Sequence, residues 1–390
     1  MRVAVIGYGT AGQATAILLA RAGHDVDVFE RSPELQPVGA GFLLQPTGLG
    51  VLDALGLREA VLARGQRIER LHGTNASGRM VMDMRYAELA PGLFGLGMTR
   101  GALFDLLHRT CTPVARIHAG AEVTNVDASG RVQVAAAGGA LRFDLVVVAD
   151  GSQSRLRAHS GLLVRDPPYP WGAMWCLLPA EGWAWPHELR QRYAGTRTMI
   201  GVLPVGARPD TAPDTRWLTF YYSLPGTAVD AFDAGALAAM LTQVARLWPE
   251  LAERTHHLTD PAQLRRARYR DVHLRTPWSG RCVFIGDAAH GMSPQLGQGV
   301  NMALLDAQAL AAALASHGDL GAALAGYARQ RRKHVAIYQS LSRWLTPLFQ
   351  SDQLWLGSLR DALFAPIGRL PLARTQMLRI LAGSKRGWWG

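Results

Sequence analysis

A chain of 390 residues, 48% hydrophobic and 18% charged, is long enough to bury one large or two moderate cores. Its formal net charge of +11 would suit nucleic acid or an anionic membrane, yet 39 of the 41 basic residues are Arg, and no basic cluster is interleaved with aromatics, so nucleic acid is set aside. Cys111, Cys176 and Cys282 are too few and too far apart for a disulfide framework or a cysteine-based metal site, and no metal is expected.

The first strand is predicted at residues 2–6, a β-branched run starting so early that no signal peptide is expected. A helix is predicted over 13–22, closed by Gly23. Between them Gly7, Gly9 and Gly12 follow the G-x-G-x-x-G spacing, which permits a tight turn, lets backbone approach a pyrophosphate, and packs helix against strand. A second strand at 25–29 ends at Glu30, 18 residues past Gly12, where a carboxylate accepts hydrogen bonds from a ribose hydroxyl; Arg31 beside it is placed in the same site. Together these elements predict a dinucleotide-binding unit.

Further on, strands are expected at 68–73 and 79–84, a helix from Arg100 to residue 110, and a hairpin-like stretch over 121–148. The apolar strand 144–149 runs into Asp150-Gly151-Ser152-Gln153-Ser154-Arg155-Leu156-Arg157, a D-G-x-x-S-x-x-R pattern. Strands are also expected near 198–204 and 217–224. The strand 281–285 then leads into Gly286-Asp287, and Met292 to Gly299 leads into a helix whose Val300, Ala303, Leu304, Ala307, Leu310, Ala311 and Leu314 repeat at helical spacing. From Arg331 to the end there are ten Lys or Arg against two Asp, with Trp344, Trp355, Trp388 and Trp389 interspersed. Helical pieces punctuated by Pro347, Pro366 and Pro371 are expected there. A solvated basic cap is one reading, and a weak peripheral membrane contact the other.

The three motifs, in this order, resemble the para-hydroxybenzoate hydroxylase family of single-component FAD monooxygenases. The C-terminal region resembles the ubiquinone-biosynthesis hydroxylase branch. The resemblance implies an α/β fold: a Rossmann-like FAD-binding domain with an inserted mixed-sheet substrate domain and a C-terminal helical region. The expected partition is 1–65, 98–164 and 271–334 for the FAD domain, 66–97 and 165–270 for the substrate domain, and 335–390 for the helical region. By the same likeness Glu30 holds the adenosine ribose, Asp287 a ribityl hydroxyl, and Asp150 and Arg100 lie by the FAD phosphates. Val38 to Gly41 and Gln45-Pro46 cross the flavin, while Pro294, Gly297 and Gly299 lie at its face.

The implied chemistry is hydroxylation of an aromatic substrate by NADPH or NADH and O2, through a flavin C4a-hydroperoxide, in a cytoplasmic monomer or homodimer. No catalytic base is legible; His72, Tyr86, Arg192, Tyr193, Tyr221 and Tyr222 are candidates by domain position, the last four as substrate contacts. Residues 166–224 hold ten aromatics in 59, twice the chain's 8%, which suggests a flat, phenolic or heteroaromatic ligand. Three alternatives remain at this level. Trp183-Ala-Trp185-Pro186 partly imitates a flavin-dependent halogenase motif, although no lysine precedes Lys333. The others are a flavin-linked reductase of isoprenoid double bonds and a non-catalytic FAD-binding protein.

Overall fold

The computed structural model describes residues 1–36, 40–135 and 139–387. The N-terminal β-branched run forms the strand Arg2–Ile6 inside a six-stranded sheet ordered Trp278–Ser279, Cys282–Phe284, Leu145–Val148, Arg2–Ile6, Asp25–Glu30, Arg116–Ala119. Pairing is parallel from Cys282–Phe284 through to Arg116–Ala119, with Val5 opposite both Val147 and Val28. Both faces at the centre of such a sheet are covered, which is why residues 3–6, Leu145–Val148 and Cys282–Phe284 are apolar without alternation, whereas Asp25–Glu30 and Arg116–Ala119 nearer the edge alternate. Helices Thr10–Arg21, Arg100–Cys111 and Gly299–Ser316 cover one face. A small antiparallel sheet of Val123–Val126, Arg131–Val134 and Ala140–Arg142 covers the other. The stretch expected to be hairpin-like is therefore three strands, after which Leu145–Val148 leaves to join the parallel core.

A seven-stranded mixed sheet stands beside this unit, ordered Arg265–Arg270, Pro168–Pro179, Trp217–Pro225, Thr198–Val205, Glu188–Ala194, Arg70–Asn75, Met80–Arg85. Its outer face is closed by helices Ala234–Leu247 and Pro249–Thr255, which pack on Met174, Ile200, Val202, Leu218, Phe220 and Tyr222. The single strand expected at 68–73 is instead divided between two strands, broken at Glu69. Gln66–Ile68 pairs with Gly95–Thr99, whose other edge takes Gly41–Leu44, while Arg70–Asn75 pairs with Met80–Arg85 and, in parallel, with Glu188–Ala194.

The C-terminal region folds as helices Leu320–Phe349, Leu354–Ile367 and Pro371–Leu381. Pro347 and Pro366 lie in the last turns of their helices, where a missing N–H removes one bond without breaking the element. Residues 380–383 and Lys385 do not lie in solvent. Gln298 Nε2 donates to Leu381 O at 2.8 Å, the Tyr338 hydroxyl to Ile380 O at 2.9 Å, and Lys385 is only 4% exposed. Trp388, Trp389, Val38 and Gly39 lie outside the described residues. Among the described residues one helix, Gly299–Ser316, is long and apolar enough to cross a membrane; it sits in the core against Thr10–Arg21 and Leu320–Phe349.

Candidate cofactor and substrate site

The glycine turn is fixed by crowding. Gly7 has φ +99°, and a Cβ there would lie 2.5 Å from Ala149 O; a Cβ on Gly12 would land on Gly7 O, far inside contact distance. Gly9 has no such neighbour, so the protein itself leaves room there. It precedes the helix Thr10–Arg21, which has neither a side-chain cap nor an acid in its first turn. The first N–H groups and the positive end of the helix dipole are therefore left for an anion.

Around this turn Gly7, Gly9, Glu30, Arg31, Asp150, Gly151 and Arg155 line one cleft of about 210 Å³. The Glu30 carboxylate accepts from Tyr8 N and Ser32 N, both at 2.9 Å, so its oxygens are held at the strand end with lone pairs still open. Asp150 is half-buried at the cleft, and its buried Oδ1 has no partner. Burial pushes its carboxyl up to about 6, opposed by the Ser154 hydroxyl and by the charges of Arg157 and Arg31. Arg157 shapes the turn rather than facing the cleft: it is 1% exposed, donates to Gly151 O and Ser152 O, and pairs with Asp166 at 2.7 Å.

Asp287 opens the short helix Asp287–His290 after Gly286, whose φ of +59° requires glycine. Its carboxyl is exposed, and a Cβ built on Gly299 would meet Asp287 Oδ1 at 3.7 Å, an ordinary contact. Pro294 starts a 3-10 turn that ends at Gly297 in the left-handed region, and Gly297 and Gly299 are both exposed. What holds this segment is a charged cluster that sequence reasoning missed. Asp306, fully buried, accepts from Gly286 N at 2.8 Å and His290 Nε2 at 2.5 Å with one oxygen and from Arg331 Nε at 2.6 Å with the other. His290 and Arg331 hold its carboxyl well below the usual range against the opposing effect of burial. A lone Asp on the buried face of an apolar helix was the available signal.

An orphaned carboxylate oxygen, a glycine cradle and an open helix end fit a ribose and pyrophosphate, and the exposed Asp287 beside two glycines fits a polyol chain. Arg100 is exposed at the start of its helix, and its charge is felt by the buried Tyr269 hydroxyl.

The substrate-contact candidates divide by strand parity. Tyr221 faces inward, its hydroxyl 3.4 Å from that of Tyr269, and burial raises both phenols. Ser223, on the same face, accepts from Gln350 at 2.8 Å, and Thr219 Oγ1 is buried without a partner. Ser293, next to Pro294, is linked through Thr346 and Ser342 towards Tyr169. The structure does not bring Arg192 and Tyr222 to this face. Arg192 lies over Trp248 and donates to Thr74; Tyr222 donates to Gln243 of the outer helix. Tyr193 packs with Met199 and Phe349 under Arg360, while His72 accepts from Arg190 and Tyr86 donates to Gln45. The Trp183 and Trp185 rings also pack on the outer face, against Trp248 and its helices.

The chain belongs to the FAD binding domain family, which matches residues 1–338. It is 32% identical over 346 residues to the aurachin C monooxygenase/isomerase of Stigmatella aurantiaca, covering 84% of each chain. It is 27% identical over 367 residues to the FAD-dependent urate hydroxylase of Klebsiella pneumoniae, covering 86% of this chain and 87% of the relative. The tetrameric form of 2-methyl-3-hydroxypyridine-5-carboxylic acid oxygenase superposes with a TM-score of 0.79 at 25% identity, over 97% of both chains. The protein is accordingly an enzyme, an FAD-dependent monooxygenase, which sets aside the reductase, halogenase and non-catalytic readings. The ubiquinone-biosynthesis branch is not singled out by these relatives.

Replacing Glu30 by alanine is expected to weaken FAD binding by about 1.5–3 kcal/mol, the cost of losing a charged acceptor. Calorimetric titration of the apoprotein measures it, with circular dichroism reporting whether the loop held by Tyr8 N and Ser32 N survives. Wild-type affinity would remove Glu30 from the site.

Proposed function

We propose that the enzyme hydroxylates a phenolic or heteroaromatic ring bound between the Tyr221 and Tyr269 hydroxyls and the Ser293 to Gly299 segment. The observation that carries this reading is the hydroxyl pair itself, half-buried and 3.4 Å apart, on the sheet face that also carries the unpartnered Thr219 hydroxyl. Such groups donate to a ring oxygen or nitrogen without adding charge. FAD supplies the redox and oxygen chemistry when bound. Glu30, Asp150 and Asp287 hold its polar parts, with Arg31 and Arg100 near its phosphates; the backbone of Pro294, Gly297 and Gly299 approaches its ring; and the packed sheet excludes water.

In this reading 1–65, 98–164 and 271–334 serve the cofactor, and 66–97 with 165–270 close over the substrate. Residues 335–390 form a cap related to that of ubiquinone-biosynthesis hydroxylases. The enzyme works in the cytoplasm as a monomer or homodimer with NADH or NADPH. Support for a heteroaromatic substrate comes from the names of the relatives, which act on urate and on a hydroxypyridine carboxylate.

The test is a panel of phenols, quinolines, purines and pyridines assayed for faster NAD(P)H-driven flavin reduction, with product mass checked for one added oxygen. Tyr269→Phe should weaken binding of the accepted ligand about tenfold, as expected for one buried hydrogen bond. Efficient oxygenation of an aliphatic or polyanionic compound, with no response to any aromatic, would refute the proposal.

A further inference from the structure

The helix Leu354–Ile367 keeps an apolar row on its outward side although it already packs inward through Phe364, whose ring meets Phe349. Its inward side carries Gly357, which packs on Gly195 and Thr196, and Arg360, fully buried, which donates to Gly195 O and Leu348 O and lies over the Tyr193 and Phe349 rings. The outward side carries Trp355, Leu359, Leu363 and Ile367, one every fourth residue, with exposures from 40% to 63%. Leu370 and Leu372, at 58% and 76%, extend the apolar surface into the next helix. A helix that needed only to cap the sheet would not keep a second apolar row facing outward. An exposed row of this kind marks a contact surface.

The charges beside it show what the surface fits. Residues 354–390 contain six Arg or Lys and one acid, Asp361. That acid is turned inward, accepting from Arg360 Nε at 2.8 Å and from Asn75 Nδ2 at 2.8 Å. Arg360 and Lys385 are buried and Arg374 is paired with Glu88 at 2.6 Å, which leaves Arg369, Arg379 and Arg386 as the exposed charges. A two-fold contact between copies of this chain would set the same basic face against itself. An anionic bilayer complements it, accepting Trp and Leu side chains at the acyl boundary and Arg at the headgroups.

We propose that the Leu354–Ile367 and Pro371–Leu381 helices dock the enzyme on an anionic lipid surface. The contact is peripheral: the row is one side chain deep, and the helix behind it stays fastened to the sheet by Arg360.

The FAD-loaded full chain is mixed with phosphatidylcholine vesicles, with or without phosphatidylglycerol, and co-sedimented across a salt series; Trp fluorescence is recorded in parallel. Binding is expected only with phosphatidylglycerol and should weaken with salt. Leu363→Glu/Ile367→Glu should reduce it at least about tenfold, and Arg369→Glu by about fivefold or more per charge removed. Because these positions are exposed, FAD content and basal NAD(P)H oxidation should stay at wild-type level. Absence of vesicle binding, or equal binding by the double variant, would overturn the proposal. So would a wild-type dimer that the double variant converts to monomer without any lipid binding.

Discussion

A Gly12→Ala enzyme is expected to purify almost colourless, with FAD affinity reduced at least about 100-fold, or about 2.7 kcal/mol. A single methyl group carries this effect because it would land on a backbone atom, Gly7 O, that cannot rotate away. Relief requires the helix Thr10–Arg21 to lift from the end of Arg2–Ile6, and overpacking of this kind costs about 1–3 kcal/mol in stability. The same movement withdraws the uncapped N–H groups from the anion they would bind. Gly9→Ala separates the two contributions, since a methyl there meets no protein atom within 4 Å: it should fold normally and still bind FAD weakly. Flavin fluorescence after ultrafiltration, with thermal denaturation of the apoprotein, distinguishes these results. A stoichiometric yellow Gly12→Ala protein would show that the turn does not hold the cofactor.

Asp306→Ala should cost about 3–5 kcal/mol of folding stability, because it leaves Arg331 buried without its partner and Gly286 N without an acceptor. The effect has a defined pH dependence. The folded carboxyl is held below its unfolded value, so its stabilisation is fully present above the ordinary carboxylate range near pH 4 and is lost as pH falls through and below that range. The urea midpoints of wild type and variant should therefore be well separated at pH 7 and converge as the wild type is acidified. FAD occupancy should fall too, because Asp287 follows the residue that Asp306 anchors. Equal midpoints at pH 7 would mean the cluster contributes no net stability.

The cofactor half was legible because its determinants are local. Three glycines, an acid at the end of a strand and an Asp after a Gly each report a short stretch of backbone, and the structure gathers Gly7, Gly9, Glu30, Arg31 and Asp150 around one cleft. The substrate face was not legible in the same way. In the strands 188–194 and 217–225 both faces are covered, so apolar alternation cannot tell which face meets the cofactor. Tyr222 is therefore equivalent to Tyr221 as a sequence pattern, although it packs under the outer helices. Of the ten aromatics in 166–224, Trp183, Trp185, Phe220 and Tyr222 pack under those helices instead of lining the inner face. Tyr269 and Gln350 belong to the inner face through contacts spanning 48 and 127 residues, which no short pattern encodes. Lys385 was assigned to solvent by its charge, and only the docking of 380–383 on Gln298 and Thr47 shows why it is buried.

The strand order of the parallel core also governs how the chain is made. Leu145–Val148 takes Arg2–Ile6 on one edge and Cys282–Phe284 on the other. At a synthesis rate of about 5–20 residues per second, the second partner emerges roughly 7–27 s after the first pair is complete. During that interval the nascent protein presents an apolar strand edge with its hydrogen bonds open, the type of surface that templates aggregation. Asp306 and Arg331, which tie down the turn after the late strand, are delivered later still. Free FAD cannot shorten this wait if Asp287 holds the ribityl chain as proposed, because Asp287 has not yet been translated. Holdase chaperones that cover that edge are expected to raise the yield of folded enzyme.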